Sequence, residues 1–333
     1  MEPFLNKLKN KVIFLSFILL SSCSGGGSSS SETSPILTPQ PTPAPPPTNT
    51  VPDCTPTTYA NTLYCTSKRN TLDREFYIYV PDGIDTTNSQ VPLLFSLHGY
   101  TSRAIWNLGY TGFQPIANAE KFIVIYPQGT ILASTGETHW NVGGWTVGST
   151  TDDVDYLSSL IDWAYSEYRI NLDRVYSTGM SNGGFMSYHL ACNLSSKIAA
   201  IASVTGSMTP QTYNSCNPVH STAVLQIHGT SDGVVPYYGN SISRPISTVM
   251  SYWENYNDCK DETINTIEDE NGDGDGGIEY LYSQCLNDVN LRLLLMTNMG
   301  HEWPTGDGNN DIIAANEIWN FLKQFNINGK IIP

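Results

Sequence analysis

The chain has 333 residues, a hydrophobic content of 40% and a formal net charge of −15. A surface this acidic repels phosphate backbones, so we expect no nucleic-acid partner and interpret the charge as a source of solubility. Beyond residue 22, no apolar run approaches the roughly 20 residues that a membrane-spanning helix needs. The composition predicts a globular domain with a sizeable core, which we expect to be a monomer.

The N-terminus predicts export. Three lysines within residues 7–11 precede a short apolar run at 12–20 (VIFLSFILL), and two serines follow before Cys23. This resembles a bacterial lipoprotein box, so residues 1–22 are predicted to be a lipoprotein signal peptide and Cys23 to be lipidated. By the same resemblance, Ser24 indicates an outer-membrane lipoprotein of a Gram-negative host, held to the membrane by its lipid alone. An ordinary signal peptide and an extracellular protein are the alternative.

Residues 23–53 combine the lipidated cysteine with a linker of Gly, Ser, Thr and Pro. The Gly/Ser part is expected to be soft, and the proline-rich part (PTPAPPPTNT) extended and stiff. We interpret the segment as a spacer that lifts the folded domain off the membrane. The remaining residues, 54–333, are predicted to form one domain.

In this domain, short apolar runs alternate with segments of helical periodicity. The predicted strands are residues 74–80, 93–97, 122–126, 175–178, 199–204, 223–228 and 291–296. The predicted helices cover residues 154–164, 184–194, 247–256 and 312–325, with Asp152 or Asp153 as the N-cap of the first. Apolar strands that alternate with helices predict an α/β fold with a mostly parallel central sheet and helices on both faces.

The strongest motif is Gly-Met-Ser-Asn-Gly-Gly at residues 179–184, between a predicted strand and a predicted helix. This is the G-x-S-x-G nucleophile elbow, in which a tight turn projects the hydroxyl of Ser181 from the sheet. Small residues on either side let neighbouring backbone pass close to the serine. The alternative is a glycine-rich turn with a spectator serine.

A serine becomes a strong nucleophile only with a base that is oriented by an acid. In this kind of site the acid and then the histidine follow the serine along the chain. Asp232 follows the strand in AVLQIHGTS, and His301 lies in the loop before the last helix, so we predict these as acid and base. A turn-forming role for Asp232 before Gly233 competes with this assignment, and Asp232 could fill both roles.

An oxyanion hole needs two backbone N–H donors. We predict that of Asn182, directly after the nucleophile, and that of Tyr100, after the early strand, with Thr101 as the alternative to Tyr100. His98 is expected to be structural. Trp303 and Trp145 are predicted to contact substrate, as an aromatic or sugar stacking surface, with a core position as the alternative. Trp106 and Trp140 are weaker candidates.

Oxygen donors alternate in the acidic segment 269–275 (DENGDGD), which resembles a calcium loop. Asp269, Asn271, Asp273 and Asp275 are the candidate ligands of a structural calcium ion. Tyr280 stands where an EF-hand has its bidentate glutamate, and the flanks predict a hairpin. An acidic surface turn without metal is the alternative.

The cysteines agree with export. With Cys23 assigned to lipid, six remain, and no C-x-x-C pair points to a metal. Pairing of neighbours closes short loops. It predicts the disulfides Cys54–Cys65, Cys192–Cys216 and Cys259–Cys285.

Five motifs together resemble the polyhydroxybutyrate depolymerase and feruloyl esterase group of α/β-hydrolases. They are LHG at 97–99, DDVDYL at 152–157, RVYSTGMSNGG at 174–184, IHGTSDGVVPY at 227–237 and GHEWP at 300–304. The resemblance covers about residues 60 to 325. It implies an α/β-hydrolase fold, a secreted ester hydrolase that requires no cofactor, and a structural role for Asp155. The implied substrate is a hydroxycinnamoyl ester or a short polyester.

Two other classes of protein stay open. Some serine peptidases share this fold and motif. A catalytically silent binding lipoprotein is the second alternative, although the complete order of serine, aspartate and histidine argues against it.

Overall fold

The computed structural model describes residues 49–270, 272–306 and 311–332. The predicted signal peptide, Cys23 and most of the linker lie outside the described residues. Within them, the N–H of Lys68 donates to Thr50 Oγ1 and that of Asn70 donates to Asn49 Oδ1. The chain is therefore packed against the domain from residue 49, slightly before the predicted boundary at 54.

Strands and helices alternate through most of the domain. The strands are β1 (Asp53–Pro56), β2 (Thr62–Arg69), β3 (Leu72–Tyr79), β4 (Leu93–Leu97), β5 (Ile123–Pro127), β6 (Thr130–Leu132), β7 (Glu137–His139), β8 (Val175–Met180), β9 (Ala200–Val204), β10 (Ala223–Gly229), β11 (Asp261–Ile267), β12 (Gly277–Ser283), β13 (Leu291–Met296), β14 (Phe325–Asn326) and β15 (Gly329–Lys330). The helices are α1 (Ala104–Tyr110), α2 (Phe113–Glu120), α3 (Asp153–Tyr168), α4 (Asn182–Asn193), α5 (Pro210–Ser215), α6 (Ile246–Tyr256) and α7 (Ala314–Leu322).

Eleven of these strands form one sheet in the order β1-β2-β3-β5-β4-β8-β9-β10-β13-β12-β11. The six from β5 to β13 are parallel, and the strands outside them on both edges pair antiparallel. Strands β6 and β7 form a separate hairpin, as do β14 and β15. The sheet is thus mostly parallel at its centre, as predicted, and the loops that leave the parallel strands meet at one edge.

The core lies on both faces of the sheet. Along β4, Leu93, Phe95 and Leu97 belong to the apolar cluster under α3, α4 and α6, whereas Leu94 belongs to the cluster under α1, α2 and α7. This alternation follows from the strand period of two. Because both faces are buried, the strand is apolar at nearly every position, which is what made the parallel strands visible in the sequence.

Most predicted elements are confirmed within two residues. The side chain of Asp152 caps α3 by accepting the N–H of Asp155, as one of the two expected N-caps. The predicted helix 312–325 was too long, because α7 ends at Leu322 and the chain then enters the short strand β14. Helices α1 and α2 were missed, since they are short and α2 carries a proline in its first turn, which obscures a helical pattern.

The three predicted disulfides are present, as Cys54–Cys65, Cys192–Cys216 and Cys259–Cys285. Such bonds persist in oxidising compartments, so they fit an exported protein. Within the described ranges, no helix has both the length and the apolar content to cross a membrane.

Candidate active site

Ser181 lies at the turn between β8 and α4, with φ 54° and ψ −119°. A positive φ is strained for a residue with a side chain, and such strain persists only where the surroundings enforce it. The N–H of Ser181 donates to Val204 O at 2.8 Å, and its carbonyl accepts the N–H of Phe185 at 2.9 Å. The turn is therefore anchored both to strand β9 and to the helix that it opens.

Two glycines allow this turn to form. A Cβ on Gly179 would lie 2.6 Å from Leu97 O, and one on Gly183 would lie 2.1 Å from the same oxygen. Both distances are far below a van der Waals contact, so any side chain would push the end of β4 away. The glycines of the motif thus bring the loop after β4 against the serine, as the sequence predicted.

Asp232 and His301 are in direct contact. Nδ1 of His301 lies 2.9 Å from Oδ2 of Asp232, whose side chain is fully buried, while the histidine side chain is 17% exposed. Oδ1 of Asp232 accepts the N–H groups of Val234 and Val235 at 2.9 and 2.8 Å. Asp232 therefore fills both roles considered from the sequence, since one oxygen shapes the turn and the other orients the histidine.

The same contacts determine the charge of Asp232. Burial raises the pKa of its carboxyl, but the hydrogen bonds from His301, Val235 and Val234 outweigh that effect and leave the pKa below its ordinary value. The group is consequently ionised at neutral pH. A carboxylate that only accepts requires the proton of His301 to sit on Nδ1, which leaves Nε2 free to act as a base.

The loops that carry these two residues are joined through their backbones. The N–H of Ser231 donates to Met299 O at 3.1 Å, and that of Thr230 donates to Met296 O at 2.9 Å. A Cβ on Gly229 would lie 1.9 Å from Met299 O. Gly229, which sequence reasoning did not single out, is therefore required for the approach of the His301 loop to the Asp232 loop.

Ser181 follows β8 and His301 follows β13, so both lie at the carboxyl-terminal ends of the parallel strands. Both residues are partly exposed. In the described part of the chain no hydrogen bond joins Ser181 Oγ to His301. Catalytic hydrogen bonds are often long without substrate and shorten when it binds. The structure thus brings the acid and the base into contact and places the serine at the same end of the parallel strands.

The backbone beside Ser181 contains the predicted oxyanion donors. Asn182 is the first residue of α4, and the N–H groups of a first helical turn have no partner within the helix. The N–H of Thr101 is used by Thr138 O at 3.0 Å, whereas Tyr100 N–H has no partner among the described residues. This favours Tyr100 over Thr101. The Asn182 side chain holds both the N–H and the carbonyl of Trp140.

His98 fixes the loop after β4. Its Nδ1–H donates to Gly99 O at 2.7 Å, and its Nε2 accepts the N–H of Gly129 at 2.9 Å. Complete burial lowers the pKa of His98 to about 4, so the ring is neutral. Both nitrogens are engaged, in agreement with the expected structural role.

The other histidines after Ser181 have different partners. Nδ1 of His189 bonds Thr212 Oγ1, and the ring nitrogens of His220 bond backbone carbonyls. His228 is fully buried and lies 3.7 Å from Asp232 Oδ2, but its Nε2–H donates to Val235 O. His301 is therefore the histidine that combines a carboxylate hydrogen bond with exposure to solvent.

The predicted aromatic contacts separate into two groups. Trp145 is partly exposed and packs edge-on against Phe185 of α4 and against Tyr100, with ring centroids 5.0 and 6.4 Å away. It borders the candidate oxyanion loop. Trp303 is 7% exposed and packs against Tyr110 and Phe113 below the His301 loop, which favours the core position that was its alternative.

The two weaker candidates, Trp140 and Trp106, differ in exposure. Trp140 is completely buried, and its Nε1–H donates to His98 O at 2.9 Å. Trp106 is 55% exposed and lies beside Arg103. Asp155 bonds Arg69 and Asn70, which agrees with its expected structural role.

The acidic segment forms the turn of the predicted hairpin, between β11 and β12. Carboxylate oxygens of Asp269, Asp273 and Asp311 lie within 4.8 Å of one another. The sequence analysis missed Asp311 because it is distant along the chain from the acidic segment. The predicted ligand Asp275 is not part of this cluster, and its carboxylate accepts a hydrogen bond from Asn298. Asn271 lies outside the described residues. A structural calcium ion here stays a prediction, which calorimetric titration with CaCl₂ tests; no binding heat would dismiss it.

A strained serine between a parallel strand and a helix, with a buried aspartate and a histidine from later strands at the same edge, defines the α/β-hydrolase class. The family model described as phospholipase/carboxylesterase matches residues 148–264. This segment contains Ser181 and Asp232. Together with the esterase relatives, this match shows that the chain is similar to esterases of the α/β-hydrolase fold.

Three relatives show the range of similarity. A bifunctional acetylxylan esterase/xylanase of Neocallimastix patriciarum is 28% identical, over 78% of this chain and 34% of the relative. Feruloyl esterase B of Piromyces equi is 26% identical, over 76% and 46%. Feruloyl esterase D of Neurospora crassa is 25% identical, over 81% and 88%. The chain thus spans a third to a half of the first two relatives and most of the third.

Solved structures share the fold at low identity. Acetyl xylan esterase from Aspergillus awamori has a TM-score of 0.51 and 16% identity, over 68% of this chain and 89% of that one. A putative dipeptidyl aminopeptidase IV from Bacteroides ovatus has a TM-score of 0.53 and 13% identity, over 79% and 36%. Since an esterase and a peptidase match equally well, these structures establish the fold and leave the substrate open.

Proposed function

We propose that this protein is a serine esterase that hydrolyses acyl esters carried by plant cell-wall polysaccharides, with hydroxycinnamoyl esters as the principal substrate. The contact between His301 and Asp232, at the sheet edge where Ser181 is held in a strained turn, carries the proposal. The relatives named feruloyl esterase and acetylxylan esterase support the substrate class. The partly exposed ring of Trp145 beside Tyr100 supports a planar acyl group.

The proposed reaction has two acyl-transfer steps and uses protein groups alone. Ser181 Oγ attacks the ester carbonyl while His301 Nε2 takes its proton. The tetrahedral oxyanion is stabilised by the N–H groups of Tyr100 and Asn182. His301 then protonates the leaving alcohol, which yields an acyl-enzyme, and a water activated by His301 releases the acid and restores Ser181.

The buried carboxylate of Asp232 orients His301 throughout this cycle. It stays ionised and holds the proton of His301 on Nδ1, so the imidazolium that forms in each step is stabilised. Because the carboxylate is enclosed, water does not compete for its hydrogen bond. The role of the protein is thus to orient the base and to place two donors where charge develops.

The test is hydrolysis of a small ester panel by the mature chain. It compares short p-nitrophenyl esters, methyl ferulate, acetylated xylan and a hydroxybutyrate oligomer, with Ser181→Ala as control. We expect methyl ferulate to be cleaved and the variant to lose roughly 10⁴-fold or more in rate. A preference for the oligomer would replace the substrate class by a polyester. No activity on any ester would favour the peptidase or the silent binding protein, and peptides would be tested next.

We also propose that Cys23 carries the lipid of an outer-membrane lipoprotein. The predicted signal sequence before it and the disulfides of the domain support an exported protein. Mass spectrometry of the N-terminal peptide from membrane fractions tests this. An acylated Cys23 in the parent, and a protein released from the membrane in Cys23→Ser, are expected; an unmodified cysteine would refute the anchor.

A further inference from the structure

An open groove of about 570 Å³ runs along the outer face of α6. Three tyrosines line it, Tyr213 from α5 and Tyr252 and Tyr256 from α6, and hydroxyl or amide side chains fill the positions between them. The residues that line this groove are different from Ser181, Asp232, His301, Tyr100 and Trp145. We call this surface the tyrosine groove.

Two of the three tyrosine rings are held in place by hydrogen bonds from their hydroxyl groups. Tyr252 OH donates to Cys216 O at 3.1 Å, and Tyr256 OH donates to Pro218 O at 2.7 Å. The rings of Tyr252 and Tyr256 are parallel to within 5°, and the Tyr213 ring centroid lies 5.4 Å from that of Tyr252. Fixed rings lose little conformational entropy when a ligand covers them, so this surface is organised before binding.

The groove has no ionisable acid or base in its lining, although the chain contains 31 acidic and 16 basic residues. Burial raises the pKa of Tyr252 to about 12, so its phenol is neutral as well. Ser247, Thr248, Ser251 and Asn255 supply short donors and acceptors beside the rings. The one charged group recorded against these rings is the Arg244 guanidinium, which lies 5.0 Å from the Tyr213 ring centroid and packs on that ring. A charged ligand would therefore find no counter-charge in the lining itself, and an aliphatic partner would cover hydroxyl groups without satisfying them.

A sugar matches both properties of the groove, because its C–H faces are apolar and its rim carries neutral hydroxyl groups. We propose that the tyrosine groove is a second binding site for a neutral polysaccharide chain, separate from the catalytic edge. The proposal rests on the proposed function in one respect, since it takes the occupant to be the polymer that carries the ester. Binding there would hold the enzyme on its substrate between turnovers and would increase the local concentration of ester groups.

The test measures binding without turnover. The full mature chain with Ser181→Ala is incubated with insoluble arabinoxylan, and the bound fraction is measured over a range of polysaccharide concentrations. Tyr252→Ala removes a ring, and Ser251→Arg fills the groove from an exposed position without removing core atoms. Tyr252→Phe keeps the ring, and Tyr165→Ala removes a partly exposed tyrosine on α3 as the matched control.

We expect binding to weaken at least tenfold in Tyr252→Ala and Ser251→Arg. It should weaken less in Tyr252→Phe, which keeps the ring but loses its hydrogen bond to Cys216 O, and should stay near that of the parent in Tyr165→Ala. In chains that keep the native Ser181, none of the four substitutions should change the turnover of soluble p-nitrophenyl acetate. Absence of binding by the parent, or equal binding by all variants, would overturn the proposal. Polysaccharide binding by a chain that cleaves no ester would refute the proposed function and leave the tyrosine groove standing.

Discussion

His228 Nε2 lies 3.7 Å from Asp232 Oδ2, and both side chains are completely buried. The ring is neutral, because burial lowers the pKa of His228, and its Nε2–H donates to Val235 O at 2.8 Å. Gln226 donates to its Nδ1 at 3.1 Å. Since the N–H of Val235 donates to Asp232 Oδ1, His228 holds the residue that holds the acid, without itself being the hydrogen-bond partner of the acid.

Replacing His228 should therefore impair catalysis indirectly. His228→Leu removes the N–H that Val235 O accepts and thereby loosens the turn around Asp232. We expect kcat on a p-nitrophenyl ester to fall about tenfold, roughly the 1.4 kcal/mol of one misplaced hydrogen bond. KM should change little, because a buried side chain does not touch substrate. His220→Leu, which also removes hydrogen bonds to carbonyls, is the matched control. Equal losses of kcat in both variants would contradict the positioning role.

Asp232→Asn should cost far more. Because Oδ1 accepts two N–H groups, the amide oxygen of asparagine will take that position and its NH₂ group will face His301. The amide would then donate to Nδ1 and force the histidine proton onto Nε2, which removes the base. We expect kcat to fall by about 10⁴-fold with the fold intact. A thermal unfolding curve like that of the parent would show that the fold is intact. A fall in kcat of less than tenfold would show that Asp232 is not the acid of the triad.

The stability of the domain should decrease in weakly acidic solution. The pKa of His98 is lowered from 6.5 to about 4, so the unfolded chain binds a proton in this window and the folded chain does not. Stability therefore rises with pH through the window and is lost as pH falls from 6.5 towards 4, by up to about 3 kcal/mol. Urea unfolding at pH 7 and pH 4.5 measures this. His98→Asn should have a shallower pH dependence, and an unchanged slope would assign the effect to other groups.

The sequence was sufficient for those parts of the site that lie directly after strands. Ser181, Asp232 and His301 follow apolar runs, and buried parallel strands are apolar at nearly every position, so their ends are visible. The strained φ of Ser181 was implied by glycines at fixed spacing. Such features are local, and local patterns can be read along a chain.

The features that were missed depend on approach between distant segments. Nothing in the sequence around Gly229 shows that Met299 O will pass where its side chain would be. Asp311 joins Asp269 across a gap of more than forty residues, and Trp303 turned out to be core because two aromatic residues from α1 and α2 cover it. Neither helix had been predicted, so the tryptophan had no visible partner.

The disulfides should contribute to stability and also to the tyrosine groove. Cys192–Cys216 spans 24 residues and Cys54–Cys65 spans 11, and in the chain-entropy picture each contributes about 3 kcal/mol to the free energy of unfolding, the longer one somewhat more. Replacing either pair by alanines should lower stability by this order in urea unfolding. Cys216 O also accepts the Tyr252 hydroxyl, so loss of Cys192–Cys216 should weaken arabinoxylan binding as well. The Cys54/Cys65 variant, with its disulfide between the edge strand β1 and its neighbour β2, is the control. If both variants bound alike, the bond would stabilise the domain without organising the groove.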